Sequence, residues 1–447
     1  MSTALVWLRD DLRVADNPAL TAALETADRV AILYVLDDES PEVRPLGGAS
    51  RWWLHHSLRS LGRTISELGG QLILRRGAAR EVVPAVVAEV GATSVHWSKR
   101  FGAARAIDAE LKSTLPDAHS HHGSLLHEPW SLTTGAGTPF KVFTPFWKAI
   151  LAGVEPRQPL PAPTAISGVT APSDSLESWD LLPTIPWDQE FPTVWKPGEH
   201  GALERLDRFI ENGLALYHRR DEPGIESTSG LSPHLRFGEI SPYQVWHAVE
   251  AVRRPENSAN ASRFLSEIGW REFSYHQLFH NTDLHSRNLR PEFDEFPWAP
   301  IDDAQLLAWK KGVTGVSLVD AGMRELWRVG TMHNRVRMVA ASFLIKNLGI
   351  DWRVGEQWFW DTLVDADEAS NPASWQWVAG SGYDAAPYFR VFNPELQAAK
   401  FDADAEYRLR WVPEFGTPIY PDPIVDLGTS RARALADYAT MRGERQP

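Results

Sequence analysis

Four short segments in the second half of the 447-residue chain gather side chains that do chemistry. In Ser266-Glu267-Ile268-Gly269-Trp270-Arg271-Glu272-Phe273, helical spacing puts Glu267, Trp270, Arg271 and Ser274 on one face. A carboxyl, an indole and a guanidinium on one stripe can stack on a flat ligand, hydrogen-bond it and neutralise a phosphate. The bland alternative is a surface ion pair beside a half-buried tryptophan. In Thr228-Ser229-Gly230-Leu231-Ser232-Pro233, hydroxyls, backbone N–H groups and a glycine precede a helix start, which suits a phosphate cradle. An ordinary helix N-cap uses the same residues and is the commoner case. In Met332-His333-Asn334-Arg335-Val336-Arg337-Met338, Asn334 and Met338 share a face while Arg335 and Arg337 point elsewhere. Taken alone it is an amphipathic helix with methionine in the core, and His333 is a satisfied structural histidine. The fourth segment is Asp365-Ala366-Asp367-Glu368-Ala369-Ser370-Asn371-Pro372-Ala373-Ser374-Trp375-Gln376-Trp377. It has an Asp-x-Asp without the companion His or Cys cluster of a metal site. Its acids suit sugar hydroxyls or the edge of a ring system; alone, an acidic helix start is the simpler account.

Composition narrows what these segments can do. Cysteine is absent, which removes disulfides, thiolate metal sites, cysteine nucleophiles and iron–sulfur clusters. The net charge of −13 argues against coating nucleic acid non-specifically and leaves a local basic groove open. No apolar run reaches the roughly 18–20 residues that span a bilayer, and no secretory signal opens the chain. A soluble cytoplasmic protein without a membrane partner is expected. The chain has 20 Trp and only 5 Met. An indole N–H needs a partner when buried, so this surplus points to large cores, to stacking on bases or a flat cofactor, or to electron transport.

The elements that must position these residues fall into three parts. Residues 1–135 alternate short apolar runs (5–8, 30–36, 71–74 and 94–97) with helical stretches near 18–27, 49–68 and 78–90. That alternation predicts an α/β domain on a parallel, Rossmann-like sheet, which binds ligands at the carboxyl ends of its strands. No Gly-x-Gly-x-x-Gly follows the first strand, so a conventional dinucleotide site there is not expected. Arg9-Asp10-Asp11-Leu12-Arg13 past that strand reads evenly as a solvated loop or a functional one. Residues 136–199 are a long connection, crowded with proline from 156 to 197, and Trp179, Trp187 and Trp195 should anchor it to a domain surface. Residues 200–447 carry helical periodicity without sustained strand alternation and form an all-α domain.

The order of the motifs discriminates where each alone does not. Trp-Arg-Glu-Phe, His-Asn-Arg-Val-Arg-Met, Asp351-Trp352-Arg353, Asp-Ala-Asp and Trp-Gln-Trp follow one another. They are succeeded by Asp384-Ala385-Ala386-Pro387-Tyr388-Phe389-Arg390-Val391-Phe392-Asn393-Pro394. With the opening Leu5-Val6-Trp7-Leu8-Arg9-Asp10-Asp11-Leu12-Arg13, this series closely resembles the photolyase/cryptochrome family of blue-light flavoproteins. The resemblance runs from residue 5 to about 415 and looks nearest to bacterial class I members that repair cyclobutane pyrimidine dimers. It implies an α/β domain, a long linker and a helical domain that holds FAD.

Carried over motif by motif, the resemblance assigns Tyr217, Thr228, Ser229, Gly230, Leu231 and Ser232 to the FAD phosphates and ribose. It puts Arg271, Arg337, Asp365, Ala366, Asp367 and Asn371 around the flavin, with Asn371 facing N5. Glu267, Trp270, Asn334, Met338 and Trp377 match the pocket for a flipped-out lesion, and Arg335 and Gln397 match DNA contacts. Glu267, Asn334 and Asn371 would carry the catalytic roles, Glu267 with a raised pKa in a dry pocket. Trp375, Trp352 and Trp298 match a photoreduction chain running from the flavin to the surface. The implied activity is repair by an electron passed from light-excited FADH⁻ to the dimer and returned. Ultraviolet-damaged DNA is then the partner of a monomeric enzyme. A signalling cryptochrome is the alternative. Asn334 and Met338, where the (6-4) branch places histidines, favour cyclobutane dimers. A second antenna chromophore, of deazaflavin or folate type, is common in the family. Ala103 and Ala104 replace the Asn-Glu pair of folate-binding bacterial members, which leaves a deazaflavin, another flavin or an empty cleft.

Overall fold

The computed structural model describes residues 1–153, 155–384 and 389–443. Five parallel strands form one sheet: β1 (Thr3–Leu8), β2 (Arg29–Leu36), β3 (Leu72–Arg76), β4 (Ser94–Ser98) and β5 (Ala118–His121). Their order is β3-β2-β1-β4-β5, so the winding reverses beside β1 and opens a crevice there. Alternate residues of β1 feed two cores. Ala4, Val6 and Leu8 pack with Trp52 and Trp53, whereas Leu5 and Trp7 pack with Val83 and Ile107. Burial on both faces explains why the first strands read as unbroken apolar runs. Helices Pro18–Thr26, Gly48–Glu67 and Ala79–Val90 lie where periodicity puts them. Strand β5 escapes the same reading because Ala118-His119-Ser120-His121 is a short, polar, partly exposed edge.

The 136–199 connection is anchored as its tryptophans suggest. Trp179 and Trp195 are buried in the core under Gly48–Glu67 together with Phe191. The connection also contains a regular helix, Phe143–Ala152, packed against the long Ser258–His280 helix. The remaining domain is helical among the described residues, with Ser258–His280, Ser317–Val329, Asn334–Ser342, Trp352–Thr362 and Ser370–Ala379 as its principal elements.

The Arg9–Arg13 turn is not a solvated loop. Asp11 and Arg13 are buried, and Asp11 takes the Arg9 N–H and the Ser98 hydroxyl. Arg13 donates to Asp16 O, Gly123 O and Gly238 O, and so joins the two domains. A cation survives in that interior because backbone carbonyls replace its water.

Candidate functional site

Three of the four segments meet at Asp365. The Ser232 hydroxyl donates to Asp365 Oδ2 at 2.5 Å, and Arg337 Nη2 donates to the same oxygen at 3.0 Å. The other oxygen, Oδ1, is buried and has no protein partner. An unsatisfied buried carboxylate oxygen is costly, so this is an acceptor built for an N–H or O–H supplied by a ligand. Around it, the Ala366 carbonyl takes Arg236 Nε at 2.9 Å. Asp367 Oδ1 accepts the N–H groups of Ala369 and Ser370 and so opens the Ser370–Ala379 helix. On that helix Asn371 Nδ2 donates to Glu356 Oε1 at 2.8 Å and to Glu356 O at 3.1 Å. Both partners are pure acceptors, so the amide NH₂ end must face them and the carbonyl end faces away.

The Thr228–Ser232 loop adjoins this hub. Gly230 has φ +61°, and a Cβ there would lie 2.5 Å from the Arg205 guanidinium. Arg205 is held over the Trp195 ring and donates to Val194 O at 2.6 Å. Its guanidinium lies against the Gly230 loop, a placement that sequence reasoning missed because Arg205 belongs to no motif. Tyr217 is buried edge-on against Phe209 and Phe264. Arg271 does not reach the Asp365 hub. Its guanidinium donates to Ser124 O at 2.8 Å and to Leu235 O at 3.4 Å.

The second constellation lies along the Ser258–His280 helix. Glu267 Oε1 is 3.6 Å from Arg220 and 3.8 Å from Arg263, contacts too long to fix it. Desolvation pushes its carboxyl above the usual carboxylate range, with the two arginines pulling it back. Trp270 stacks on Phe143, rings parallel within 9° and centroids 3.9 Å apart. Phe143 comes from the connection, and the aromatic run Phe143, Phe146, Trp147 was its only sequence signal. Trp377 donates its indole N–H to Asp384 O at 3.1 Å, while the Asp384 carboxyl accepts the Phe143 N–H. Asp384 thereby ties both indoles to one point. Ala385, Ala386, Pro387 and Tyr388 of the same motif lie outside the described residues.

Asn334 is exposed at the first residue of its helix, with Met338 half-buried one turn on. His333 is structural: Nδ1 accepts Arg335 N and Nε2 lies 2.9 Å from Arg220 O, which fixes a neutral ring protonated at Nε2. Burial pushes its pKa down to about 4. Arg335 is not a free cation, since Asp221 pairs with it at 3.0 Å and its guanidinium covers Phe401. Gln397 is half-buried, with Oε1 turned inward and unpartnered.

The three tryptophans border one apolar cluster. Trp375 is buried beneath Gly355, where a Cβ would come within 2.1 Å of its ring. Trp352 is fully buried and donates to Asn288 Oδ1 at 2.9 Å, while Trp298 is half-buried against Phe296. Trp375 also meets two rings that no motif marked, Phe359 at 4.9 Å and Trp309 at 6.4 Å.

A curated relative, the deoxyribodipyrimidine photo-lyase of Agrobacterium fabrum, is 48% identical over 98% of this chain and 98% of its own length. The chain belongs to the DNA photolyase family. Residues 4–164 match the family model for DNA photolyase, and residues 264–417 match that for the FAD binding domain of DNA photolyase. The crystal structure of a bacterial class III photolyase from Agrobacterium tumefaciens shares 46% identity, covers 99% of this chain and 98% of that one, and has a TM-score of 0.94. The archaeal photolyase from Sulfolobus tokodaii, described with two FAD molecules, is 27% identical, covers 98% of this chain and 100% of that one, and has a TM-score of 0.84.

This photolyase-family chain fits FAD at the Asp365 hub, where the unused oxygen, the Asn371 carbonyl and the Gly230 loop offer a ring edge and a phosphate their partners. A separate cleft of about 140 Å³ lies where β1, β2 and β4 end against the helical domain. Tyr34, Arg44, Phe101, Arg236, Arg271 and Tyr275 are among its walls. Among the described residues no group of three His, Asp or Glu is arranged to hold a metal ion, and no helix is long and apolar enough to cross a membrane.

Proposed function

We propose that the chain repairs cyclobutane pyrimidine dimers in DNA by light-driven electron transfer, with reduced FAD on the Asp365 hub. The observation that carries this reading is the buried Asp365 carboxylate, fixed through one oxygen by Ser232 and Arg337 while the other stays unused. Asp365 would accept from the flavin edge, and Arg337 would offset the charge gathered there. The Thr228–Ser232 loop and Arg205 would meet the pyrophosphate. When bound and reduced, FAD supplies the photo-excited electron and takes it back after the ring has opened.

Every other part belongs to the protein. Trp270 and Trp377 would stack on the dimer, at about 1–3 kcal/mol per base. Glu267 would donate its retained proton to a base carbonyl, and Asn334 would bond the base edge. Extruding a damaged pair costs less than extruding an intact one, which helps select the lesion. Trp375, Trp352 and Trp298 would refill the flavin with electrons after oxidation. The interdomain cleft, with its phenols, phenyl ring and arginines, suits a planar anionic second chromophore. The archaeal relative with two FAD molecules makes a flavin a reasonable occupant.

The test is repair of an oligonucleotide with a single cyclobutane dimer by reduced protein, in blue light and in darkness. Dimer loss only in light is the expected result. Persistence of the dimer in light, with FAD bound and reduced, would overturn the reading.

A further inference from the structure

We propose that Arg44, a residue of the α/β domain, is a positioning residue for the flavin: through Glu356 it fixes which end of the Asn371 amide faces N5. This rests on the reading that Asn371 faces that atom. Arg44 crosses to the helical domain and grips Glu356 with both guanidinium arms, Nη1 to Oε1 at 2.7 Å and Nη2 to Oε2 at 2.8 Å. The Glu356 side chain is only 2% exposed, so it depends on this fork for its counter-charge. Its Oε1 is the atom that accepts Asn371 Nδ2. Cation, carboxylate and amide therefore form one line from domain to domain.

The grip is itself anchored. Arg44 lies over the Trp360 ring at 4.0 Å and donates to Gln357 Oε1 at 2.8 Å. Next to it, Pro45 O accepts the Trp360 indole N–H at 2.9 Å, and Gly48 N donates to Asp361 Oδ1 at 2.8 Å. Gly47 is pressed so closely on Trp360 that a Cβ would come within 2.2 Å of its carbonyl oxygen. The segment 44–48 is thus docked along one face of the Trp352–Thr362 helix, and Arg44 is held in place for Glu356.

The chemical consequence concerns redox balance. Flavin N5 is an acceptor when oxidised and carries a hydrogen when reduced. A carbonyl held toward N5 favours the reduced form, whereas an NH₂ held there favours the oxidised one. Without Arg44, the buried Glu356 carboxylate would lose its counter-charge and its fixed position, and the Asn371 amide would be free to turn over. Arg44 also lines the interdomain cleft.

The experiment measures the midpoint potential of bound FAD in the full chain, after FAD content and melting temperature have been read. Arg44→Gln should lower the potential, changing the reduced-to-oxidised ratio at fixed potential by roughly tenfold, the scale of one charge-assisted hydrogen bond. Arg44→Lys keeps the charge but loses the fork and should give a smaller shift; it also serves if the glutamine variant holds no FAD. Asn371→Leu should lower the potential too, and adding Arg44→Gln to it should change nothing more. If Asn371→Leu moves the potential and neither Arg44 variant does, the role of Arg44 is wrong. If Asn371→Leu itself has no effect, the reading that Asn371 faces N5 is wrong.

Discussion

The two sides of the proposed site, one assigned to the flavin and one to the lesion, are built differently. Around Asp365 and Asn371 the side chains are fixed by short hydrogen bonds to charged groups, from 2.5 Å at Ser232 to 3.0 Å at Arg337. Around Glu267 the ion contacts are 3.6 and 3.8 Å, Asn334 is exposed, Trp270 is held by stacking and Trp377 by a single N–H bond. The first arrangement suits a resident cofactor bound once in one pose. The second suits a guest that arrives, is flipped in and leaves, because rings held by stacking adjust at little cost while broken charge-assisted bonds do not. Removing groups from the two sides should therefore produce different losses.

The largest expected effect is on the flavin side. Asp365→Ala removes the unused acceptor and takes the carboxylate from Arg337, a loss of about 1.5–3 kcal/mol for bonds to a charged group, so FAD affinity should fall about a hundredfold. Bound FAD per chain and titration of the apoprotein with FAD measure it. Affinity within tenfold of the parent would show that the hub is not the cofactor's anchor.

Next comes Trp377→Ala. It should weaken binding of dimer-containing DNA by about ten- to a hundredfold, from the lost stacking, and leave FAD content unchanged. Parallel loss of FAD would erase the division between the two sides. Phe143→Ala is a subtler probe. Parallel stacking contributes roughly 0.5–1.5 kcal/mol beyond area burial, so dimer affinity should fall about two- to tenfold while binding of undamaged DNA is spared.

The smallest effect is a pH dependence on the lesion side. Burial raises the Glu267 pKa, so the proton persists above the usual carboxylate range and is lost as pH rises through the raised value. Dimer binding should weaken over that rise, and Glu267→Gln should flatten the profile. A profile unchanged by Glu267→Gln would remove the hydrogen-bond donor from the pocket.

Much of this is legible in the sequence. Helices such as Gly48–Glu67 and strands such as β2 announce themselves because period and burial are local properties. Asp365, Asn371, Trp270 and Trp377 could be named because motif order carries them. What stayed hidden is pairing at long range. Phe143 and Trp270 stack although they lie 127 positions apart (270 − 143), and no property of a proline-rich connection marks that contact. Arg44 and Glu356 lie 312 residues apart, and an arginine in a loop reads as solvated until its partner is seen. Arg205 is hidden for the same reason. The Ser124 and Leu235 carbonyls that hold the Arg271 guanidinium are hidden likewise, for a motif names a residue but not its distant partners.

Gly355 carries a consequence for the electron path. It lies on the same helix as Trp352, three residues on, and its bare Cα is what lets the Trp375 ring settle against that helix. Tunnelling rates fall exponentially with the gap between donor and acceptor. On the proposed path, a single methyl group at this position would push the Trp375 ring away from the helix that carries Trp352. If that path operates, Gly355→Ala should slow photoreduction while leaving every indole in place in the sequence.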